Sequence, residues 1–271
     1  MSTRNEEDEY PAARTVAIEA IVAALRVQHS TYDVRQYACE ALASICLEAE
    51  NRVPAARAGA IEAVVAALRV HPSTDDVRHW ACRALANICV ADGTEVRAAR
   101  AGAIEAVVAA LRVQPSPDDV RQYACIALVN ICMAAENRVP AARAGAIDAV
   151  VAALRLQPST DDVRHLACRA LAIICASAEN RVPAARAGAI EALVAALRVQ
   201  PSTDDVRQYA CGALASICLA AENKVRAARA GAVGAATAAM QATSSSSVRE
   251  QATRLLKELE GATVDPSIQT E

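Results

Sequence analysis

The sequence has no phenylalanine and a single tryptophan in 271 residues, although 54% of it is hydrophobic. A core must therefore be built from Ala, Val, Leu, Ile and Cys. These side chains bury little area singly but suit helices that approach closely over a long stack. No apolar run reaches the ~20 residues that a membrane span requires, so no membrane partner is expected. The opening residues, Met1-Ser2-Thr3-Arg4-Asn5-Glu6-Glu7-Asp8, are acidic and lack the apolar segment of a secretory leader. Positive charge is also short. A net charge of -3 gives no electrostatic reason for nucleic acid or an anionic surface as the main partner. The sequence contains no glycine-rich phosphate loop, no zincin motif and no nucleophile set beside a histidine. His29 and His71 fall in turns, and His79 and His165 fall on helix edges. No catalytic constellation, cofactor or metal site is expected.

Ten cysteines are present, and without a leader they point to a reducing compartment, so a cytoplasmic or nuclear location is expected. They come in pairs seven apart: Cys39/Cys46, Cys82/Cys89, Cys125/Cys132, Cys168/Cys175 and Cys211/Cys218. Two helical turns, about 10 Å, separate the members of a pair. That is too far for an intrahelical disulfide and unlike the close pairs of zinc sites. Small buried hydrophobes are the expected role.

The strongest signal is repetition. Glycines at Gly59, Gly102, Gly145, Gly188 and Gly231 sit in an Ala-Gly-Ala element that recurs every 43 residues. A repeat of this length is one supersecondary unit that buries its apolar face by stacking on its neighbours. Residues 8–260 divide into units of about 8–50, 51–93, 94–136, 137–179, 180–222 and 223–260. An acidic extension, 1–7, precedes them, and a flexible tail, 261–271, follows. The first unit has Val16 where the others have glycine, and the last degenerates after Gly231.

Each unit parses into three helices. The first is short, with Asn51 as a candidate N-cap and Pro54 in the first turn, and Gly59 ends it. The second runs over about 60–70, with Ile61, Val64, Val65 and Leu68 at helical spacing. The third opens at Ser73 or Thr74 and runs to about Ala91, with Asp75 and Asp76 placed to complement the helix dipole. The repeated pairs Asp118-Asp119, Asp161-Asp162 and Asp204-Asp205 are read the same way rather than as metal carboxylates.

These features resemble the armadillo-repeat family: Ala58-Gly59-Ala60-Ile61 before an apolar helix, then Val77 and Ala84-Leu85-Ala86-Asn87-Ile88. The resemblance covers nearly the whole chain. It implies an all-α, right-handed superhelical solenoid of six three-helix units, the last a degenerate cap. It also implies a non-enzymatic protein-interaction module that holds an extended peptide or disordered segment in a concave groove lined by the third helices.

On a wheel of about 100° per residue, Val77, Ala81, Leu85 and Ile88 form one face of the third helix, and Cys82 and Cys89 lie beside it. Trp80, Arg83, Asn87 and Val90 lie opposite. Among the units the core positions hardly change, whereas the opposite arc changes repeatedly, as a modular recognition surface would. The candidate groove residues are Tyr37, Glu40 and Ser44; His79, Trp80, Arg83 and Asn87; Gln122, Tyr123, Ile126 and Asn130; His165, Arg169 and Ile173; and Tyr209 and Ser216.

In importin-alpha and beta-catenin a Trp stands four residues before an Asn that bonds the peptide backbone. Here the Asn matches only at Asn87 and Asn130. Glu40, Arg83, Ile126, Arg169 and Gly212 replace the Trp, and the aromatics stand three residues earlier at Tyr37, Trp80, Tyr123 and Tyr209. A ligand with acidic or mixed side chains and apolar anchors is expected, rather than a basic importin-type peptide. Two alternatives remain: a repeat that reads single-stranded nucleic acid by stacking, and self-association through the tail lying in a neighbour's groove.

Overall fold

The computed structural model describes residues 3–27, 30–70, 73–156 and 159–262. The expectations for His29, for His71 and for the tail beyond residue 262 lie outside the described residues. The chain divides into two compact units, 1–137 and 138–271, and all regular structure among the described residues is helical.

The first unit opens with one long helix, Thr3–Arg26, followed by Tyr32–Ile45. Two triplets follow: Ala49–Ala58, Ala60–Arg69 and Asp75–Ile88, then Thr94–Arg100, Ala103–Arg112 and Asp118–Ile131. The second unit contains three triplets. They are Arg138–Arg143, Ala146–Arg155 and Asp161–Ile174; Ala178–Arg186, Ala189–Arg198 and Asp204–Cys218; and Ala221–Arg229, Ala232–Gln241 and Ser246–Leu259. Within each unit the last helices of successive repeats pack side by side.

The opening repeat departs from the three-helix pattern, and residues 3–7, expected as an extension, are helical. Its first two helices are fused because Val16 occupies the place of the glycine, and nothing there breaks the hydrogen-bond ladder. In the later repeats that glycine serves both helices. Gly102 has φ 80° and ψ 29°, caps Ala103–Arg112 and ends the preceding segment. The Arg69 guanidinium reaches it from the repeat before, with Nη2 donating to the Gly102 carbonyl at 3.2 Å. A Cβ at Gly102 would run into that guanidinium. Gly102→Ala therefore combines left-handed strain with a collision. It is expected to cost about 1–3 kcal/mol, read as a lower urea midpoint; an unchanged midpoint would remove this account of the glycine.

The third helices start where the sequence places them. Thr74 has extended backbone and accepts a hydrogen bond from the Val77 amide at 3.3 Å, satisfying one of the free amides of the first turn. Thr31, Thr160 and Thr203 do the same. The first-turn aspartates also hold half-buried or buried arginines three residues on: Asp75 with Arg78, Asp118 with Arg121, Asp161 with Arg164 and Asp204 with Arg207.

Asn51 is not an N-cap. The helix begins at Ala49, and the buried Asn51 donates from Nδ2 to the Ile45 carbonyl at 2.9 Å. Asn137, Asn180 and Asn223 make the equivalent bond to Ile131, Ile174 and Ile217, and each also donates to a carbonyl 42 residues back: Glu95, Arg138 and Arg181. Thr94 takes the position in its repeat and donates from Oγ1 to Ile88 at 3.0 Å. One buried polar side chain per repeat thus satisfies carbonyls that the end of a third helix leaves open.

Val77, Ala81, Leu85 and Ile88 are buried together, as are all ten cysteines, which are free thiols. In the last repeat Thr253, Lys257 and Glu260 are exposed, as a terminal face requires. Its core is Val248, Ala252, Leu255 and Leu259, while Leu256, at helical spacing from Val248 and Ala252, is half-buried. In that repeat Ala236 stands where the previous one has Leu193, and both Ala236 and Leu255 are fully buried.

Candidate functional site

The arc of the third helices opposite the core is the part the stack leaves accessible. In the first unit Tyr37 is 65% exposed, Ser44 is exposed and Glu40 is half-buried. His79, Trp80, Arg83 and Asn87 are half-buried, as are Gln122, Tyr123, Ile126 and Asn130. In the second unit the same holds for His165, Arg169, Ile173 and Tyr209. Ser216 does not belong to the accessible set. It is 8% exposed, in a helix along which the final helix packs closely, with Gln251 lying over Gly212.

Four of these residues form one cluster. The Arg83 guanidinium carbon lies 5.1 Å from the Trp80 ring centroid and 5.2 Å from that of Tyr123, so two aromatic faces from successive repeats hold one cation. His79 meets both rings edge-on, at 4.7 Å from Trp80 and 5.0 Å from Tyr123. The second unit repeats the theme with Leu166 in place of the Trp. Arg169 lies 5.6 Å over Tyr209, and His165 stacks on the same ring at 6.2 Å. In both clusters an Arg-and-His-bearing helix precedes a Tyr-bearing one, and at the His position the repeats alternate Gln36, His79, Gln122, His165 and Gln208.

The charge of the first cluster resides on arginine. Burial lowers the pKa of His79, and Arg83 adds to this, although Asp119, Asp76 and Glu40 pull the other way. Burial and Arg83 both favour the neutral imidazole. Neither Arg83 nor Arg169 has an ion-pair or hydrogen-bond partner among the described residues. A ring stacked on a guanidinium covers its face and leaves the in-plane N–H donors for a ligand.

Asn87 and Asn130 are already engaged. The Asn87 Nδ2 donates to the Ala43 carbonyl at 2.8 Å, and the Asn130 Nδ2 to Ala86 at 2.8 Å. Each ties its helix to the end of the preceding third helix, so only the second N–H and the amide oxygen remain for a peptide.

A row of exposed apolar side chains follows at the C-terminal ends of the same helices: Leu47, Val90 and Met133 in the first unit and Leu219 in the second. The sequence shows these positions varying from repeat to repeat, and that variation is the signal by which they could have been included. Burial raises the thiol pKa of Cys82, Cys125 and Cys175 to about 12, and that of Cys89 is raised as well. No group of three or more His, Cys, Asp or Glu is placed to hold a metal among the described residues, and no helix there is long and apolar enough to cross a membrane.

Similar proteins fit this architecture. An engineered protein of known structure is 30% identical, with a TM-score of 0.78 over 90% of this chain and 98% of its own. A computationally designed armadillo repeat protein for modular peptide recognition is 25% identical, with a TM-score of 0.76 over 89% of this chain and 99% of its own. Another designed armadillo repeat protein, solved in complex with the peptide (KR)4, shares the fold at 24% identity and a TM-score of 0.74, over 89% of this chain and 99% of its own. No curated protein matches the chain significantly in sequence. The family model that does match is the plant U-box protein ARM repeat region, over residues 42–268, and the chain belongs to this family of armadillo repeats.

Proposed function

We propose that the chain is a non-enzymatic interaction module that holds an extended peptide or disordered segment against the accessible arc of its third helices. Armadillo repeats generally mediate protein interaction, and the designed relative at 25% identity is described as serving modular peptide recognition. The observation that carries the proposal is the pair of arginine–aromatic clusters, Trp80/Arg83/Tyr123 and Arg169/Tyr209, on the arc whose residues vary between repeats. Rings that fix a guanidinium in advance reduce the entropy lost when it takes a carboxylate. Aromatic residues and arginine are also the side chains that dominate binding hot spots. The ligand segment then carries an acidic side chain for Arg83 and apolar ones for the Leu47/Val90/Met133 row of the first unit, or an acidic one for Arg169 of the second.

A peptide-array screen followed by titration tests this. Arg83→Glu with Arg169→Glu is expected to weaken every acidic ligand at least tenfold, and Trp80→Ala to weaken it less, through loss of the ring that orients Arg83. Unchanged affinity in the double variant would sink the proposal. Substituting Asn87 or Asn130 is a poorer probe, because it also removes the bonds to Ala43 and Ala86. Single-stranded RNA in low salt is expected not to bind, since an acidic chain with few groove cations cannot make the phosphate contacts required.

A further inference from the structure

An ion pair joins successive repeats at some junctions and is missing at others. In the first unit Arg97, in the helix Thr94–Arg100, donates from Nε to Oε1 of Glu62 in the repeat before, at 2.8 Å. In the second unit Arg226, in Ala221–Arg229, holds Glu191 with two bonds, Nε to Oε1 at 2.6 Å and Nη2 to Oε2 at 3.1 Å. In both cases the acid stands in the first turn of a second helix. At the arginine position the successive repeats carry Pro54, Arg97, Pro140, Pro183 and Arg226. Their partners at the acid position are Glu19, Glu62, Glu105, Asp148 and Glu191.

The junction of Asp148 with Pro183 is the open form of this pair. Proline brings no cation and no N–H donor, and aspartate is one methylene shorter than glutamate. A cavity of about 370 Å³ results, bounded by Ala142, Ile147, Asp148, Pro183, Arg186 and Ala187. Asp148 has no ion-pair or hydrogen-bond partner among the described residues. Ile147, Pro183 and the two alanines offer apolar walls to an aliphatic stem, and the carboxylate offers a charged end. Arg186 does not forbid a second cation, because Arg100 and Arg229 stand in its place beside Arg97 and Arg226.

From this parallel we infer that the Asp148 cavity is a binding site for an arginine side chain of a partner protein. The partner's guanidinium takes the place that Arg97 and Arg226 fill from within the chain, and Asp148 accepts its N–H groups in a charge-assisted pair. The choice of arginine over lysine rests on shape. A planar guanidinium makes two parallel bonds to one carboxylate, as Arg226 does with Glu191, while its stem lies along Pro183 and Ile147. None of the six lining residues belongs to a third helix. The site is therefore separate from the arc of Arg83 and Arg169, and it stands apart from the acidic ligand proposed there.

Titration of the full chain with Nα-acetyl-arginine amide, followed by backbone amide chemical shifts, tests this. The expected result is weak, saturable binding with the largest shifts at Ile147, Asp148 and Ala187. Nα-acetyl-citrulline amide, the neutral isostere, is expected not to bind. Asp148→Asn, at an exposed position, is expected to weaken binding about tenfold, as loss of a hydrogen bond to a charged group implies. Pro183→Arg is expected to set the chain's own guanidinium on Asp148 and so exclude the probe; the same spectra show whether each variant is folded. Equal binding of the citrulline probe, an Asp148→Asn variant that binds as the parent does, or a Pro183→Arg variant still open to the probe would each overturn the inference. So would the absence of saturable shifts around Asp148, or shifts centred on the third helices instead.

Discussion

Leu85→Ala is expected to destabilise the protein by about 3–5 kcal/mol, the upper part of the range for leucine truncation in a core. Leu85 is fully buried in Asp75–Ile88, the middle one of the first unit's three third helices, among Val77, Ala81, Ala84 and Ile88 on its own helix. The size of the loss depends on whether neighbours can move into the space the side chain leaves. Here they cannot reach it. The chain has no phenylalanine, and much of the surrounding core is alanine, valine and cysteine, whose side chains are short and largely fixed by the backbone. The cavity therefore stays open, and its cost adds to the lost transfer free energy. Leu85→Met, which keeps the volume, is expected to cost less than about 1.5 kcal/mol. Urea unfolding of the two variants beside the parent measures both. A loss below about 1 kcal/mol for Leu85→Ala would mean that the small-residue core relaxes after all.

The fold was legible because its determinants are local and repeated. Gly59 and its successors, the Thr74-type caps and the spacing of Val77, Ala81, Leu85 and Ile88 each specify something within one or two turns, and five near-copies remove the ambiguity of a single pattern. What escaped were contacts spanning one repeat. Asn51 looks like an N-cap because asparagine before a helical pattern usually is one, yet its relatives Asn137 and Asn180 bond carbonyls 42 residues away that no local reading can identify. The arc opposite the core was legible to the same extent. The variable arc could be read from the helical wheel, and the structure leaves most of it accessible. That Arg83 rests on the ring of Tyr123, from the next repeat, depends on the spacing between helices. Ser216 was misplaced for a similar reason, since its burial accompanies the close packing of the last helix rather than any feature of its own.

The repeat position misassigned at Asn51 supports the other large expected effect, at its equivalent Asn180. Asn180 is 1% exposed, and its Nδ2 spends both protons on backbone carbonyls, Arg138 at 2.9 Å and Ile174 at 2.8 Å. Asn180→Ala removes both bonds from a buried site and is expected to cost about 1–3 kcal/mol. Asn180→Asp keeps the shape but turns a carboxylate oxygen toward two carbonyl oxygens in a buried place. Charge, lone pairs and desolvation then all oppose folding, and the expected loss at pH 7 rises to about 3–5 kcal/mol, the cost of an uncompensated buried charge. The sign of the pH dependence follows. Burial and the carbonyls favour the protonated carboxyl, so its pKa in the folded state lies above its unfolded value. The folded variant binds the proton more tightly, and stability is regained as the pH falls toward about 4. A protonated carboxyl can donate to one of the two carbonyls, so recovery brings the variant close to Asn180→Ala but not to the parent. Urea midpoints for the three proteins at pH 7 and near pH 4 decide the matter. If the Asp and Ala variants fall together at pH 7, or the Asp variant gains nothing relative to the parent on acidification, the bridging role of Asn180 is wrong.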